Sequence, residues 1–162
     1  MLVEAMMQGR IATFQSTGSS MWPLVQSNDV CTFAPVRAVS AEEGTHVFEK
    51  PQSEIVVGDI VICKVRPTME IFAHLVLETK WENWLSEEKY YIGNIEDHRN
   101  GYCLLEDIYG VLVLVQAEYN GHRLPRPLPK TVFRPVLKLI SQDRWSNAAK
   151  TICEPDWSSV PW

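Results

Sequence analysis

Short apolar runs alternate with polar turns along most of the chain. The runs with the β-branched and aromatic character of strands span 10–17, 29–36, 55–65, 71–80, 90–103 (two strands and a turn) and 108–119. Glycine, asparagine, aspartate and proline separate these runs, as is typical of strands joined by tight turns. The pattern predicts a mainly β fold, a compact antiparallel domain of short strands.

The last quarter of the chain has a different pattern. Prolines interrupt residues 120–135, which are therefore expected to be extended, whereas 135–150 carry apolar residues at helical spacing. The tail, 151–162, is irregular and contains two tryptophans. We divide the chain into a β domain, 1–119, and a second part, 120–162. This second part comprises a proline-rich arm, a peripheral C-terminal helix and a Trp-rich tail, which pack on the β domain or on a partner.

Composition narrows the class of protein. A length of 162 residues suits one domain, and 46% hydrophobic with 22% charged residues is close to the average for soluble globular proteins. The net charge of -5 argues against a nucleic-acid partner. No apolar run approaches the ~18 residues that span a membrane, and the first residues have no signal-peptide pattern. We therefore expect a soluble, cytoplasmic protein without a membrane partner.

The cysteines and histidines do not indicate a metal site. None of the cysteines forms a C-x-x-C pair, which argues against a zinc site. Because no secretion signal is evident, we expect free thiols at Cys31, Cys63, Cys103 and Cys153. The spacing of His98 and His122 relative to Cys103 fits no familiar ligand pattern. We expect neither a metal nor any other cofactor.

Two features could carry chemistry, a serine-rich turn and a histidine. In STGSSMWPLVQSNDV, residues 16–30, Ser20 is either a nucleophile or a turn residue. A serine nucleophile needs a base within hydrogen-bond reach, roughly 2.6–3.2 Å. His74 lies in the apolar run IFAHLVL, where burial would favour the neutral ring that a base requires. The alternative is a structural histidine that is hydrogen-bonded to the backbone.

The order of the motifs resembles a known superfamily. GSSMWPLVQSNDV, VVGDIVICKV, FAHLVL, YYIGNIEDHRNGYC and IYGVLVLV follow one another between residues 10 and 116. This order resembles that of the type I signal peptidases and the self-cleaving SOS repressors, and is most similar to small phage and bacterial members of that superfamily. The resemblance implies a signal-peptidase-like β domain.

The resemblance also implies roles for individual residues. Ser20 matches the nucleophile, and His74 matches the position of the general base. Asp97 is the candidate that orients the base, with His98 and Asn100 as other candidates in the same turn.

Other residues match the supports of the site. Ser19, Met21 and Pro23 belong to the turn that presents the serine, whose backbone N–H groups would form the oxyanion hole. Gly58 and Asp59 match a structural Gly-Asp turn.

Two functions remain open from the sequence. The first is a soluble serine endopeptidase with a Ser–His site, whose substrate is a peptide or protein segment laid in extended form along a strand edge. The second is a non-catalytic descendant of the fold that serves as a structural or assembly component, possibly of a phage particle, with structural protein partners or copies of itself. In that case its location would be the virion. The arm and the Trp-rich tail favour the second function, and the Ser20–His74 pair favours the first.

Overall fold

A computed structural model describes residues 2–17, 25–36, 55–94, 98–126 and 157–159. One short helix, α1, is followed by eight strands and two 3-10 turns at Leu105–Asp107 and Trp157–Ser159. The elements are α1 (Leu2–Met7), β1 (Ala12–Gln15), β2 (Val30–Pro35), β3 (Ile60–Val65), β4 (Glu70–Glu82), β5 (Glu87–Gly93), β6 (Arg99–Cys103), β7 (Ile108–Tyr119) and β8 (His122–Arg126).

The strands form one antiparallel sheet. Its order is β1-β2-β7-β3-β4-β5-β6, and β8 pairs with the end of β7. The predicted mainly β fold is confirmed. The helix predicted over 135–150 lies outside the described residues, and the α-helix that the structure does describe is N-terminal. No helix among the described residues is long and apolar enough to cross a membrane.

Three aspartates begin the three central strands of the sheet in the same way. Asp29, Asp59 and Asp107 each stand directly before a strand, β2, β3 and β7 respectively. In each case one carboxylate oxygen accepts the backbone N–H of the residue three positions earlier, at 2.8, 2.9 and 2.9 Å (Gln26, Val56 and Leu104). The aspartate's own N–H returns a hydrogen bond to that residue's carbonyl at 3.0, 3.0 and 2.9 Å. These closed turns satisfy buried backbone groups where the strands begin.

Strands β3 to β6 curve until the last strand reaches the first. Arg66, directly after β3, exchanges two backbone hydrogen bonds with Tyr102 of β6, with N···O distances of 2.8 and 3.3 Å. The inward side of this curve is one hydrophobic core, which includes Val61, Val76 and Ile92, all fully buried. The other face of the sheet holds a second core, which α1 covers through the buried Met6.

The described part of the C-terminal region packs on the β domain. β8 pairs with β7 from Tyr119 to Val115, and the ring of Trp157 meets the ring of Tyr119 edge-on at 6.0 Å between centroids. The rest of 127–162 lies outside the described residues.

Three of the four cysteines are free thiols with buried side chains, as predicted, and Cys153 lies outside the described residues. Burial, reinforced by the charge of Asp29, raises the pKa of the Cys31 thiol to about 12. A hydrogen bond with Cys63 and burial also raise the pKa of Cys103. The Cys31 and Cys103 thiols therefore stay protonated and lack the thiolate that reacts with oxidants and metals.

Because β6 approaches Arg66 closely, we predict that a side chain at Gly101 of β6 causes a steric clash. Its φ of 144° suits only glycine, and an added Cβ would overlap the carbonyl oxygen of Arg66. We expect Gly101→Ala to lower the free energy of unfolding by about 3 kcal/mol. The control is Gly121→Ala, where φ is 78° but no atom lies within 4 Å of the added Cβ, and the expected cost is about 1 kcal/mol. Urea unfolding measures both, and equal losses would contradict the close approach.

The raised pKa of Cys31 predicts a loss of stability in alkali. The unfolded thiol titrates near ~8.5, so above that pH the unfolded chain releases a proton that the folded chain keeps. Stability is unaffected below this pH and falls above it, by up to about 1.4 kcal/mol per pH unit. Urea unfolding between pH 8 and 10.5 should show a steeper decline for the wild type than for Cys31→Ala. Parallel curves would show that the thiol titrates normally in the folded protein.

Candidate active site

His74 lies on β4, on the face that turns towards the inner core. In the sheet register it pairs with Val61 of β3, and its ring stacks on that of Phe72 with centroids 5.2 Å apart and planes 27° apart. The side chain is half-buried. The ring is therefore held on one side by an aromatic neighbour while part of it stays accessible.

A hydrogen bond to Asn100 fixes the orientation of the His74 ring. The ring Nδ1 lies 2.7 Å from the side-chain Oδ1 of Asn100. An amide oxygen only accepts hydrogen bonds, so Nδ1 carries the proton and donates it. In the neutral ring the lone pair is then on Nε2, the nitrogen not held by Asn100. A histidine that is oriented through Nδ1 and has its lone pair on Nε2 has the arrangement of a general base.

A bulge in β6 brings Asn100 to this position. Ile92 pairs with Gly101 and Gly93 pairs with Arg99, so Asn100 is the extra residue of a β-bulge. Bulges redirect side chains relative to the regular alternation of a strand. Here the redirected amide reaches across β5 to the ring on β4.

The connection between β5 and β6 is tight. Asn94 accepts the N–H of His98 at 3.0 Å through its side chain and donates its own N–H to the His98 carbonyl at 3.2 Å. A side chain on Gly93 would overlap that carbonyl. Asp97, the predicted orienting residue, belongs to this connection but lies outside the described residues.

Hydrogen bonds join the two described ends of the serine-rich connection between β1 and β2. Ser16 receives a hydrogen bond from the N–H of Asn28 at 2.9 Å and donates its own N–H to Asp29 at 2.8 Å, while its hydroxyl donates to the carbonyl of Gln26. Ser16 is therefore a structural serine. The predicted residues Ser19, Ser20, Met21 and Pro23 follow in this connection and lie outside the described residues.

A buried ion pair joins the start of β2, where this connection ends, to β8. The Arg126 guanidinium of β8 donates from Nε to one oxygen of Asp29 at 2.8 Å and from Nη2 to the other at 3.2 Å. Their side chains are only 6% and 3% exposed. No sequence pattern links the two residues, because they are 97 positions apart. The sequence signal for Asp29 was local, because Asp29 follows a Ser-Asn turn and precedes an apolar run. Asp59 also precedes an apolar run, but it follows a glycine.

The described residues include only part of the predicted site, and the contact between Ser20 and His74 stays a prediction. They bring His74 together with Asn100, one of the candidates for orienting the base. His98 is exposed in the neighbouring turn. In the described ranges no group of three His, Cys, Asp or Glu side chains could hold a metal ion.

Comparison of the chain with family models, with curated proteins and with solved structures finds no match in any of the three. The function is therefore proposed from residue geometry and from the order of the motifs.

The His74–Asn100 hydrogen bond predicts the tautomer of the ring. Nitrogen chemical shifts should show the neutral His74 ring protonated at Nδ1. Asn100→Ala should abolish this preference and cost about 1 kcal/mol of stability, since it removes one partly buried hydrogen bond. Asn100→Asp is the matched control, because it keeps an acceptor oxygen and should keep the tautomer. A wild-type ring protonated at Nε2 would contradict the assignment.

Proposed function

We propose that the protein is a serine peptidase with a Ser–His site that cleaves an extended peptide segment. Ser20 is the nucleophile, His74 is the general base, and Asn100 orients the base. The observation that carries the proposal is the 2.7 Å hydrogen bond between His74 Nδ1 and Asn100 Oδ1, which leaves Nε2 as the proton acceptor.

The reaction follows from these roles. Nε2 of His74 takes the proton of the Ser20 hydroxyl while the oxygen attacks the peptide carbonyl. Backbone N–H groups of the serine turn stabilise the oxyanion. The resulting imidazolium then gives its proton to the leaving amine, which leaves an acyl ester on Ser20. A water molecule, activated by the same histidine, hydrolyses the ester and regenerates the serine.

Asn100 would act differently from a carboxylate. A neutral amide oxygen holds the tautomer and the direction of the ring, but it stabilises the imidazolium less than a negative charge does. Asp97, three residues earlier, remains the predicted carboxylate in this region. Comparing Asn100→Ala with Asp97→Asn distinguishes the two assignments, because the residue that orients the base should cause the larger loss.

Among the described residues, β4 has a strand edge that no other strand pairs with, which supports an extended substrate. β3 pairs with β4 only as far as Leu75, and two more backbone hydrogen bonds, from the Gly58 N–H and to the Asp59 carbonyl, extend this contact to Val76. Among the described residues no strand pairs with Glu78–Glu82 on this side of β4, whose other side is taken by β5. Exposed backbone groups of this kind bind a peptide as an added strand.

One observation favours the alternative of a non-catalytic assembly module. The tip of the β4–β5 hairpin carries Trp81 and Trp84, which are 55% and 76% exposed. Exposed tryptophans are enriched at protein interfaces. A partner surface at the tip is compatible with either function, so cleavage is the deciding measurement.

Cleavage of a peptide library by the purified full-length chain tests the proposal. We expect the wild type to cut a defined set of peptides and Ser20→Ala to reduce kcat/KM by about 10⁴-fold or more. His74→Ala should cause a loss of similar size, and Asn100→Ala a loss of about 100-fold, as expected for a group that acts through the base.

Matched controls separate the site from its surroundings. Ser27→Ala removes an exposed serine from the same β1–β2 connection and should leave the rate unchanged. His122→Gln removes a histidine from the β7–β8 hairpin and should also be neutral. Cleavage by Ser20→Ala at the wild-type rate, or no cleavage by any form, would contradict the peptidase proposal and favour the assembly module.

A further inference from the structure

The buried Asp29–Arg126 ion pair lies at the base of the connection that contains Ser20. Asp29 Oδ2 accepts hydrogen bonds from both Arg126 Nε and the Gln26 N–H, each at 2.8 Å, and Oδ1 accepts a third from Arg126 Nη2 at 3.2 Å. The carbonyl of Asp29 also accepts the N–H of Ser16. One residue therefore joins β8 to both described ends of the connection.

Stability alone does not account for a buried pair of this kind. Removing two charges from water costs about as much as their attraction returns, so a buried ion pair contributes little net stability compared with apolar packing. What it does impose is geometry, since the planar guanidinium binds the carboxylate through two directed hydrogen bonds. The pair therefore fixes the direction of the Asp29 carboxylate, and with it the position of Gln26.

We infer that Arg126 is a positioning residue for the Ser20 nucleophile, acting through Asp29. The inference rests on the proposed function. Ser20 is four residues after Ser16 and six before Gln26, so it lies between two residues that Asp29 holds. A shift of about 1 Å in a reacting group lowers rates by about 100-fold. The Asp29–Arg126 pair, which holds both described ends of the connection, is therefore expected to affect kcat.

The chain contains a matched control for this pair. Arg66 binds Asp107 at the same distances, 2.8 Å from Nε and 3.2 Å from Nη2, and Asp107 closes the same kind of turn. Unlike Arg126, Arg66 also donates from Nη2 to Glu106 at 2.7 Å, and its side chain is 31% exposed.

Arg66 pairs with Tyr102 near the C-terminal end of β6, and Asp107 directly precedes β7. Because β2 and β7 are antiparallel, Asp107 lies at the opposite end of this strand pair from Asp29. Variants of Arg66 therefore report the cost of losing such a pair without any role in positioning Ser20.

The experiment compares Arg126→Gln, Arg126→Lys and Arg66→Gln in the full-length protein. For a library peptide that the wild type cuts, Arg126→Gln should lower kcat by about 10- to 100-fold and change KM less than about threefold. Arg126→Lys keeps the charge without the two-pronged geometry, so about a tenth of the wild-type kcat is expected. Arg66→Gln should lose stability but keep kcat within about twofold of the wild type.

Amide hydrogen exchange gives a readout that does not need activity. Arg126→Gln should speed exchange at the Gln26 and Ser16 amides and leave the Leu104 amide unchanged, whereas Arg66→Gln should show the reverse pattern. If Arg126→Gln does not fold, Arg126→Lys serves for both measurements.

The outcomes separate the two proposals. An unchanged kcat in Arg126→Gln, or unchanged exchange at Gln26, overturns the positioning role while the peptidase proposal stands. An equal loss of kcat in Arg66→Gln also overturns it, because the effect would then follow general destabilisation. A wild type that cleaves nothing contradicts the peptidase proposal and, with it, any role in catalysis. The exchange data then show only whether Arg126 orders the connection.

Discussion

The arrangement of the central strands depends on the hydrogen bonds that three buried aspartate carboxylates accept. β2, β7 and β3 lie side by side in the sheet, and each begins at an aspartate whose carboxylate accepts a backbone N–H three residues earlier. Burying a carboxylate costs free energy unless it is hydrogen-bonded. Each turn is therefore stable only in the arrangement that supplies these hydrogen bonds. Three such turns set the starting points, and therefore the register, of the central strands that carry both cores.

The proposed site draws on two parts of this framework. His74 depends on the inner core, on the Phe72 ring and on the bulge that directs Asn100 inwards. The serine connection depends instead on Ser16 and Asp29, at the start of β2. Because the two parts belong to different strands, their relative position is set by the shared sheet rather than by local sequence. Arg126 ties the second part to β8, 97 residues further along the chain.

Part of this was predictable from single residues. Alternation of apolar and polar positions located the strands, because side chains of a strand alternate between faces. His74 stood out as a polar group within an apolar run, and the β5–β6 turn contained Asn100 as one of three candidates. The choice of Asn100 could not be made from sequence, because it depends on one extra residue in a strand pairing. The arm was expected to be extended, and its start does form β8.

By itself, the sequence determined the strand content, the tight turns and the residue types that could carry out acyl transfer, since these follow from side-chain size, polarity and short-range backbone preferences. The tertiary structure alone decided which of these residues meet. The Arg126–Asp29 pair, the return of β6 to Arg66 and the His74–Asn100 hydrogen bond all join residues distant along the chain. Such contacts form only after several strands have paired, and no local preference encodes them.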